Sequence, residues 1–328
     1  MTKADPLSLA AAPPALLSGA GEPLIEAFAR RPEIDEALRS VGGVLLRGYV
    51  VEDVGAFRAF AAAFGHELLS YEFGSTPRSA VEGKVYSSTE YPAHREIPLH
   101  GEQSYTREWP MLIWFHCVIA SPEGGATPLA DARAVYRAID PSLREKFARR
   151  GLRYVRNFGN GLDVPWTQVF NTQDRAQVEA YCRAHAIGFE WKEDGELRTS
   201  QLCQAVAVHP KTGEDVWFNQ AHLFHSSALE PEEREALVDA VGEDGLPRDV
   251  TFGDGGVIPD EDLAHVRAAL EAEKLVFSWR EGDVLMLDNM LTMHGREPYR
   301  GPRKVVVAMA EPHESQFASQ SGGADRPA

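Results

Sequence analysis

Cysteine is scarce in this 328-residue chain: Cys117, Cys182 and Cys203 are odd in number and far apart. That excludes a disulfide scaffold and leaves no paired spacing for zinc or a redox dithiol, so the three are expected as reduced core thiols of a cytoplasmic protein. Long apolar runs are missing too, since a bilayer span needs roughly 20 residues. The apolar stretch 9–17 is broken by Pro13 and Pro14 and preceded by Asp5, unlike a signal peptide. Basic charge is in deficit, with 33 Lys and Arg against 49 Asp and Glu and a formal charge of −16. Nucleic acid and anionic membrane are therefore excluded as partners, because both require clustered cations. No internal repeat, no Gly-x-Gly-x-x-Gly fingerprint and no phosphate-binding Gly-Lys-Thr loop occurs, which disfavours a doubly wound nucleotide-binding sheet.

What remains is ordinary soluble composition, 44% hydrophobic and 25% charged, enough for a sizeable core. The ends, 1–22 and 315–328, are rich in Ala, Pro, Gly and Ser and lack apolar periodicity, so both are expected to be flexible tails around one catalytic domain at 23–314. A glycine-bounded apolar run at 42–49, then Asp53 as a helix N-cap, reads as strand then helix. The continuous run MLIWFHCVIA at 111–120 suits a central strand covered on both faces. Further strands are expected at 152–158, 189–191, 197–200, 205–209, 216–219, 276–279, 284–287 and 304–310. Helices are expected at 141–150, 174–185, 231–241 and 259–273, each led by Pro or Asp. Many short strands without regular helix alternation point to a mainly β fold, a sandwich or barrel with helical insertions.

The chemistry begins at His100-Gly101-Glu102. In an extended strand residues i and i+2 share a face, so imidazole and carboxylate can grip one cation. As an isolated motif His-x-Glu is a common accident. A second imidazole, His294, follows an apolar strand in Asp288-Asn289-Met290-Leu291-Thr292-Met293-His294. Two histidines and one carboxylate leave half of an octahedral shell open, the pattern of non-haem Fe(II) oxygenases rather than of a closed structural zinc site. The open positions suit dioxygen and a chelating co-substrate such as 2-oxoglutarate, whose distal carboxylate needs an arginine fork. Arg303 stands nine residues after His294, and Thr127, in Gly124-Gly125-Ala126-Thr127, can donate a hydroxyl to the same group.

Those residues, in that order, resemble the TauD/TfdA superfamily of Fe(II)/2-oxoglutarate-dependent dioxygenases over about residues 40–312. The runs IPLHGEQSY, GGATPLADAR, WTQVFNT, HPKTGEDVWFNQAHLFH and LDNMLTMHGREPYRGPRKVVVAMAEP are most similar to its SyrP-like branch. The resemblance implies a double-stranded β-helix (jelly-roll, clavaminate synthase-like), with iron, 2-oxoglutarate and dioxygen as cofactors. It implies His100, Glu102 and His294 as metal ligands, and Arg303 and Thr127 as the co-substrate anchor. Glu stands where most of the superfamily has Asp, Gly101 where the branch more usually has a polar residue, and Val307 where taurine-type enzymes keep an arginine for the sulfonate. Taurine is therefore not the expected substrate, and Glu102 disfavours halogenation, because related halogenases vacate that ligand position for chloride.

The expected activity is hydroxylation of an unactivated C–H bond in an amino acid or derivative, in specialised metabolism such as antibiotic biosynthesis. Tethering of the substrate to a peptidyl carrier protein, and a homo-oligomeric state, are left open. Glu96 and Tyr105, which flank the metal pair, with Trp217, Asn219 and His222, are the substrate-facing candidates, Glu96 as partner for an ammonium group. His225 and His209 read as structural. Desaturation, epoxidation or cyclisation by the same cofactors is one rival reading. A cupin-like metal- or ligand-binding protein is another.

Overall fold

A computed structural model of the chain describes residues 14–70, 78–88, 91–159, 161–193 and 195–317. Glu108–Ile119 is the central strand of a seven-stranded sheet, flanked by Val284–Asp288 and Lys304–Glu314. Strand periodicity splits its apolar run. Ile113, Phe115 and Cys117 face inward with Leu285, Leu287, Val305, Val307 and Met309, whereas Leu112 and Trp114 face the N-terminal helices with Val284, Met286 and Val306. Both faces are covered, as a run without polar alternation requires.

The second sheet has four strands in the order Leu275–Phe277, Thr127–Asp131, Thr292–Arg296, Ile97–His100. Leu129 and Phe277 bring it onto the inward face of the large sheet, so the two sheets form a jelly-roll sandwich. An insertion supplies a separate four-stranded sheet, Gly188–Trp191, Leu197–Cys203, Leu152–Phe158 and Arg248–Phe252. Helices Pro141–Arg150, Arg175–Ala184, Pro231–Val241 and Asp260–Ala272 occur where Pro and Asp starts placed them. Asp53, Asp140 and Asp174 cap helices through their side chains.

One boundary needs correction. The expected tail at 1–22 includes a strand, Ala15–Ser18, paired in parallel with Gly43–Arg47, with Ala15 and Leu17 fully buried. Alternation over four residues is too short to stand out beside the Pro- and Ala-rich stretch before it. At the other end Ser315 is buried and the Phe317 carbonyl accepts from Arg107, so packing continues past 314. Residues 1–13 and 318–328 of the expected tails lie outside the described residues. All three cysteines are free and buried.

Candidate active site

The small sheet assembles the site. His294 on Thr292–Arg296 lies directly opposite His100 on the antiparallel strand Ile97–His100, with ring centroids 4.6 Å apart. Glu102 is not on that strand, contrary to the expected extended His-x-Glu. The strand ends at His100, and the chain turns at once, with Gln103 at φ 55° and the Ser104 N–H and Oγ bonded to the Gly101 carbonyl. The turn swings the carboxylate back, so Glu102 Oε2 stands 4.0 Å from His294 Nε2. One donor atom from each of His100, Glu102 and His294 lies within 4.8 Å of the others. Gly101 is required for packing, since a Cβ there would sit 2.8 Å from the Phe218 ring.

Both imidazoles are held neutral. Burial lowers the His100 pKa and pushes that of His294 well below the ordinary value. The His100 Nδ1–H donates to the Pro98 carbonyl at 2.8 Å, leaving the Nε2 lone pair for the centre. His294 is oriented by packing, its ring 5.0 Å from that of Phe115.

A group that the sequence reading missed joins the two distant halves. Asn289 Oδ1 accepts from the Glu102 N–H at 2.7 Å, and its Nδ2 donates to the carbonyls of Glu102 and Pro110 at 2.9 and 2.8 Å. Asp288 Oδ1 closes the same turn by accepting from the N–H groups of Met290 and Leu291. Its Oδ2 meets His209 Nε2 at 3.0 Å, so His209 is structural as read. The only hint in sequence is an Asp-Asn pair just after an apolar strand, an ordinary turn signature.

Arg303 and Thr127 line one cavity of about 40 Å³ together with His100, His294 and Trp279. Burial lowers the Arg303 pKa to about 10, and its Nε donates to the Gly125 carbonyl at 3.2 Å. The Gly-Gly pair explains itself here. Gly124 and Gly125 have φ 70° and 72°, and a Cβ on Gly124 would fall 2.2 Å from the Pro298 carbonyl oxygen. Trp279 Nε1 donates to Thr127 Oγ1 at 2.8 Å, leaving the threonine proton available to a bound anion.

A second cavity, about 160 Å³, shares Arg78, Ile97 and His100 with the first and is lined also by Tyr91, Glu96, Glu102, Gln220, Phe224 and Arg248 among others. Of the substrate-facing candidates, the structure brings only Glu96 to this cavity. Burial raises its pKa against the opposing pull of Lys274. Tyr105 is buried behind the wall, its ring 5.1 Å from that of Phe224. Trp217 lies in the core against Phe147. Asn219 spends its amide on the Ala205 carbonyl and the Ala221 N–H. His222 Nε2 bonds the Leu99 carbonyl at 2.9 Å, and Gln220 Nε2 donates to that of Gly101 at 2.7 Å. This segment therefore props the strand that carries His100. Its apolar neighbours imply burial, and burial of polar groups requires such bonds. His222 does line an outer groove of about 810 Å³, which shares Tyr91, Glu96, Pro98 and Leu223 with the second cavity.

A family model described as taurine catabolism dioxygenase TauD, TfdA family, matches residues 22–309. The chain belongs to the TauD/TfdA family. It is thus an oxidoreductase of the Fe(II)/2-oxoglutarate-dependent dioxygenase type, and the jelly-roll and the His-Glu-His cluster agree with that membership. Among relatives in this family, the dapdiamide synthesis protein DdaC of Enterobacter agglomerans is 42% identical, over 88% of this chain and 87% of its own. A clavaminate synthase-like protein of Arabidopsis thaliana is 30% identical, over 85% and 84%. Among solved structures, PvcB of Pseudomonas aeruginosa superposes with TM-score 0.51 at 19% identity, covering 90% of this chain and 84% of its own. At that identity the likeness concerns the TauD/TfdA fold alone.

Proposed function

We propose that the chain hydroxylates an unactivated C–H bond of an amino acid or amino-acid derivative, with His100, Glu102 and His294 as the ligands of ferrous iron. The observation that carries this reading is the convergence of two neutral imidazoles and one carboxylate within 4.8 Å. Such a set fits a six-coordinate cation with three positions left for small molecules. Iron held by these residues would supply, together with 2-oxoglutarate and dioxygen, the oxidising power for C–H cleavage, with 2-oxoglutarate converted to succinate and carbon dioxide.

The chain's own residues do the rest. Arg303 holds the distal carboxylate of 2-oxoglutarate with its fork, and the Thr127 hydroxyl donates to the same group. Phe115 and the strand pairing keep the His294 ring fixed, and Asn289 keeps Glu102 in register with it. Glu96, at the mouth of the second cavity, takes the ammonium group of the substrate. The names of two relatives support the substrate class. One belongs to dapdiamide synthesis, and another, 24% identical, is a tyrosine isonitrile desaturase of Pseudomonas aeruginosa. The groove outside the second cavity has room for the arm of a carrier-bound substrate.

The test measures succinate against candidate amino acids, free and tethered to a peptidyl carrier protein. Coupled turnover with one of them and a product heavier by about 16 mass units, the mass of one oxygen, is expected for hydroxylation. A loss of about 2 mass units identifies desaturation instead, and no coupled turnover with either class refutes the substrate assignment.

A further inference from the structure

The outer groove, about 810 Å³, shares Tyr91, Glu96, Pro98 and Leu223 with the cavity beside His100 and Glu102, so the two adjoin. Among the described residues three cationic side chains line this groove, Arg95, Arg267 and Lys274. Lys274 meets Glu271 at 2.8 Å and Glu297 at 3.7 Å, and Arg95 faces Glu233 at 3.9 Å. Arg267 differs. Half-buried on the helix Asp260–Ala272, it gives its terminal nitrogens to neutral acceptors, the His222 carbonyl at 3.2 Å and Ser227 Oγ at 3.1 Å. No carboxylate among the described residues comes within ion-pair distance of it, and Asp260, whose charge it feels, is closed on Arg234 at 2.6 Å. Burial therefore outweighs attraction and lowers the Arg267 pKa. A guanidinium stripped of part of its water and met only by neutral oxygens keeps its full charge, so an anion entering the groove gains a charge-assisted contact there.

The walls argue for what that anion belongs to. Glu96 stands where groove and inner cavity join and makes no ion pair among the described residues, whereas Arg267 lines the groove alone. Leu99, Leu229 and Leu270 add apolar surface to the groove. An acid at the junction, a cation further out and an apolar lining are complementary to an extended molecule with an ammonium head and an anionic tail. Arg267 also ties that tail to the site, because it holds the His222 carbonyl while His222 Nε2 bonds the carbonyl of Leu99, next to His100.

We propose that the groove is a subsite for the tail of the substrate, in which Arg267 binds an anionic group at the far end of an extended amino-acid derivative whose ammonium meets Glu96. Arg267 is then a specificity-determining residue that selects amino-acid conjugates over single amino acids. This rests on the reading of the chain as an amino-acid-oxidising dioxygenase. The anion is either the carboxylate of a small peptide-like conjugate or the phosphate in the arm of a carrier-bound substrate, and a guanidinium recognises both.

The test uses the full chain loaded with Mn(II), which keeps the site filled without turnover, and with 2-oxoglutarate. Alanine, dialanine, trialanine and tetraalanine, each as the acid and as the C-terminal amide, are titrated calorimetrically into the wild type, R267Q, R267K and E96Q. S-alanyl pantetheine is compared in the same way with and without its terminal phosphate. We expect at least one peptide acid, or the phosphate, to bind the wild type better than its neutral counterpart by about tenfold or more, the worth of one charge-assisted contact. R267Q abolishes that ratio, R267K keeps part of it, and E96Q weakens both members of each pair alike. The ratio compares ligands on one protein, so a general loss of folding does not mimic it. A preference confined to the peptide acids identifies a small conjugate, one confined to the phosphate identifies the carrier arm, and both together show a subsite that takes either anion. The proposal is overturned if the wild type prefers no charged member, if R267Q keeps the ratio, or if single alanine already shows the full Arg267-dependent ratio. Iron-dependent decay of 2-oxoglutarate in the wild type, measured separately, tells whether the dioxygenase reading survives that failure.

Discussion

Replacing Asn289 by alanine should damage the proposed metal centre without touching any of its three proposed ligands. The side chain makes three buried hydrogen bonds, one from the Glu102 N–H and two to the carbonyls of Glu102 and Pro110. At about 1 kcal/mol each the loss is about 3 kcal/mol, and it approaches about 5 kcal/mol if the stranded Glu102 N–H finds no water. Because the turn 288–291 joins the large sheet to the strand of His294, loosening it also lets Glu102 drift from the second imidazole. A lost supporting bond to a ligand typically weakens metal binding by about 10- to 100-fold. N289A should therefore show both effects, a fall in urea-unfolding free energy and a matching loss of Mn(II) affinity by calorimetry. N289D keeps the acceptor for the Glu102 N–H but sets an anion against two carbonyls, so it should be no better than alanine. If N289A stays within about 0.5 kcal/mol of the wild type, the range of ordinary surface substitutions, and binds Mn(II) equally well, the clamp argument is wrong.

Replacing Arg303 by Gln should raise the KM for 2-oxoglutarate by about 10- to 100-fold, the value of a charged contact of about 1.5–3 kcal/mol, with R303K intermediate because it keeps charge but loses the fork. Burial lowers the Arg303 pKa to about 10, so the group is cationic below that pH and loses its charge above it. Binding of 2-oxoglutarate, followed by titration against pH, should hold through neutrality and fall as pH rises through about 10. W279F removes the Nε1–H donor to Thr127 and should weaken 2-oxoglutarate binding by about fivefold, or about 1 kcal/mol, with little change in kcat. His222 has its pKa lowered to about 4 by burial, from an ordinary 6.5, so the unfolded chain takes up its proton first. Stability should consequently drop as pH falls from 6.5 toward about 4, by about 3 kcal/mol in the limit, and level off below. H222Q should flatten that part of a urea-midpoint against pH profile; an unchanged slope would show that other groups carry it.

How far the sequence is readable depends on whether a property is local. The run 111–120 shows that its strand is covered on both faces, because apolar residues at every position have only that explanation in a sheet. Helix starts at Pro141, Asp174 and Pro231 are equally local, since a cap or a first-turn proline acts within a few residues. His100, Glu102 and His294 could be named because the donor types are rare together and chemically restrictive. Placing Glu102 in an extended strand failed, because nothing within four residues reveals the Phe218 ring that packs on Gly101 or the turn that follows.

Sequence alone thus indicated a mainly β sandwich or barrel, narrowed to a jelly-roll by the family resemblance, and named the three donors proposed for the metal and the arginine and threonine proposed for a dicarboxylate. The tertiary structure decided what no local pattern contains. Arg78 reaches Glu102 only once the chain has folded back. Asn289 ties residues 187 positions apart, and Trp279 finds Thr127 across the small sheet. Candidates such as Tyr105, Trp217 and Asn219 proved to be core, because an aromatic or amide side chain reads alike in a list whether it faces a cavity or the interior. Direction in space is settled by packing against distant segments, and packing is a property of the whole chain.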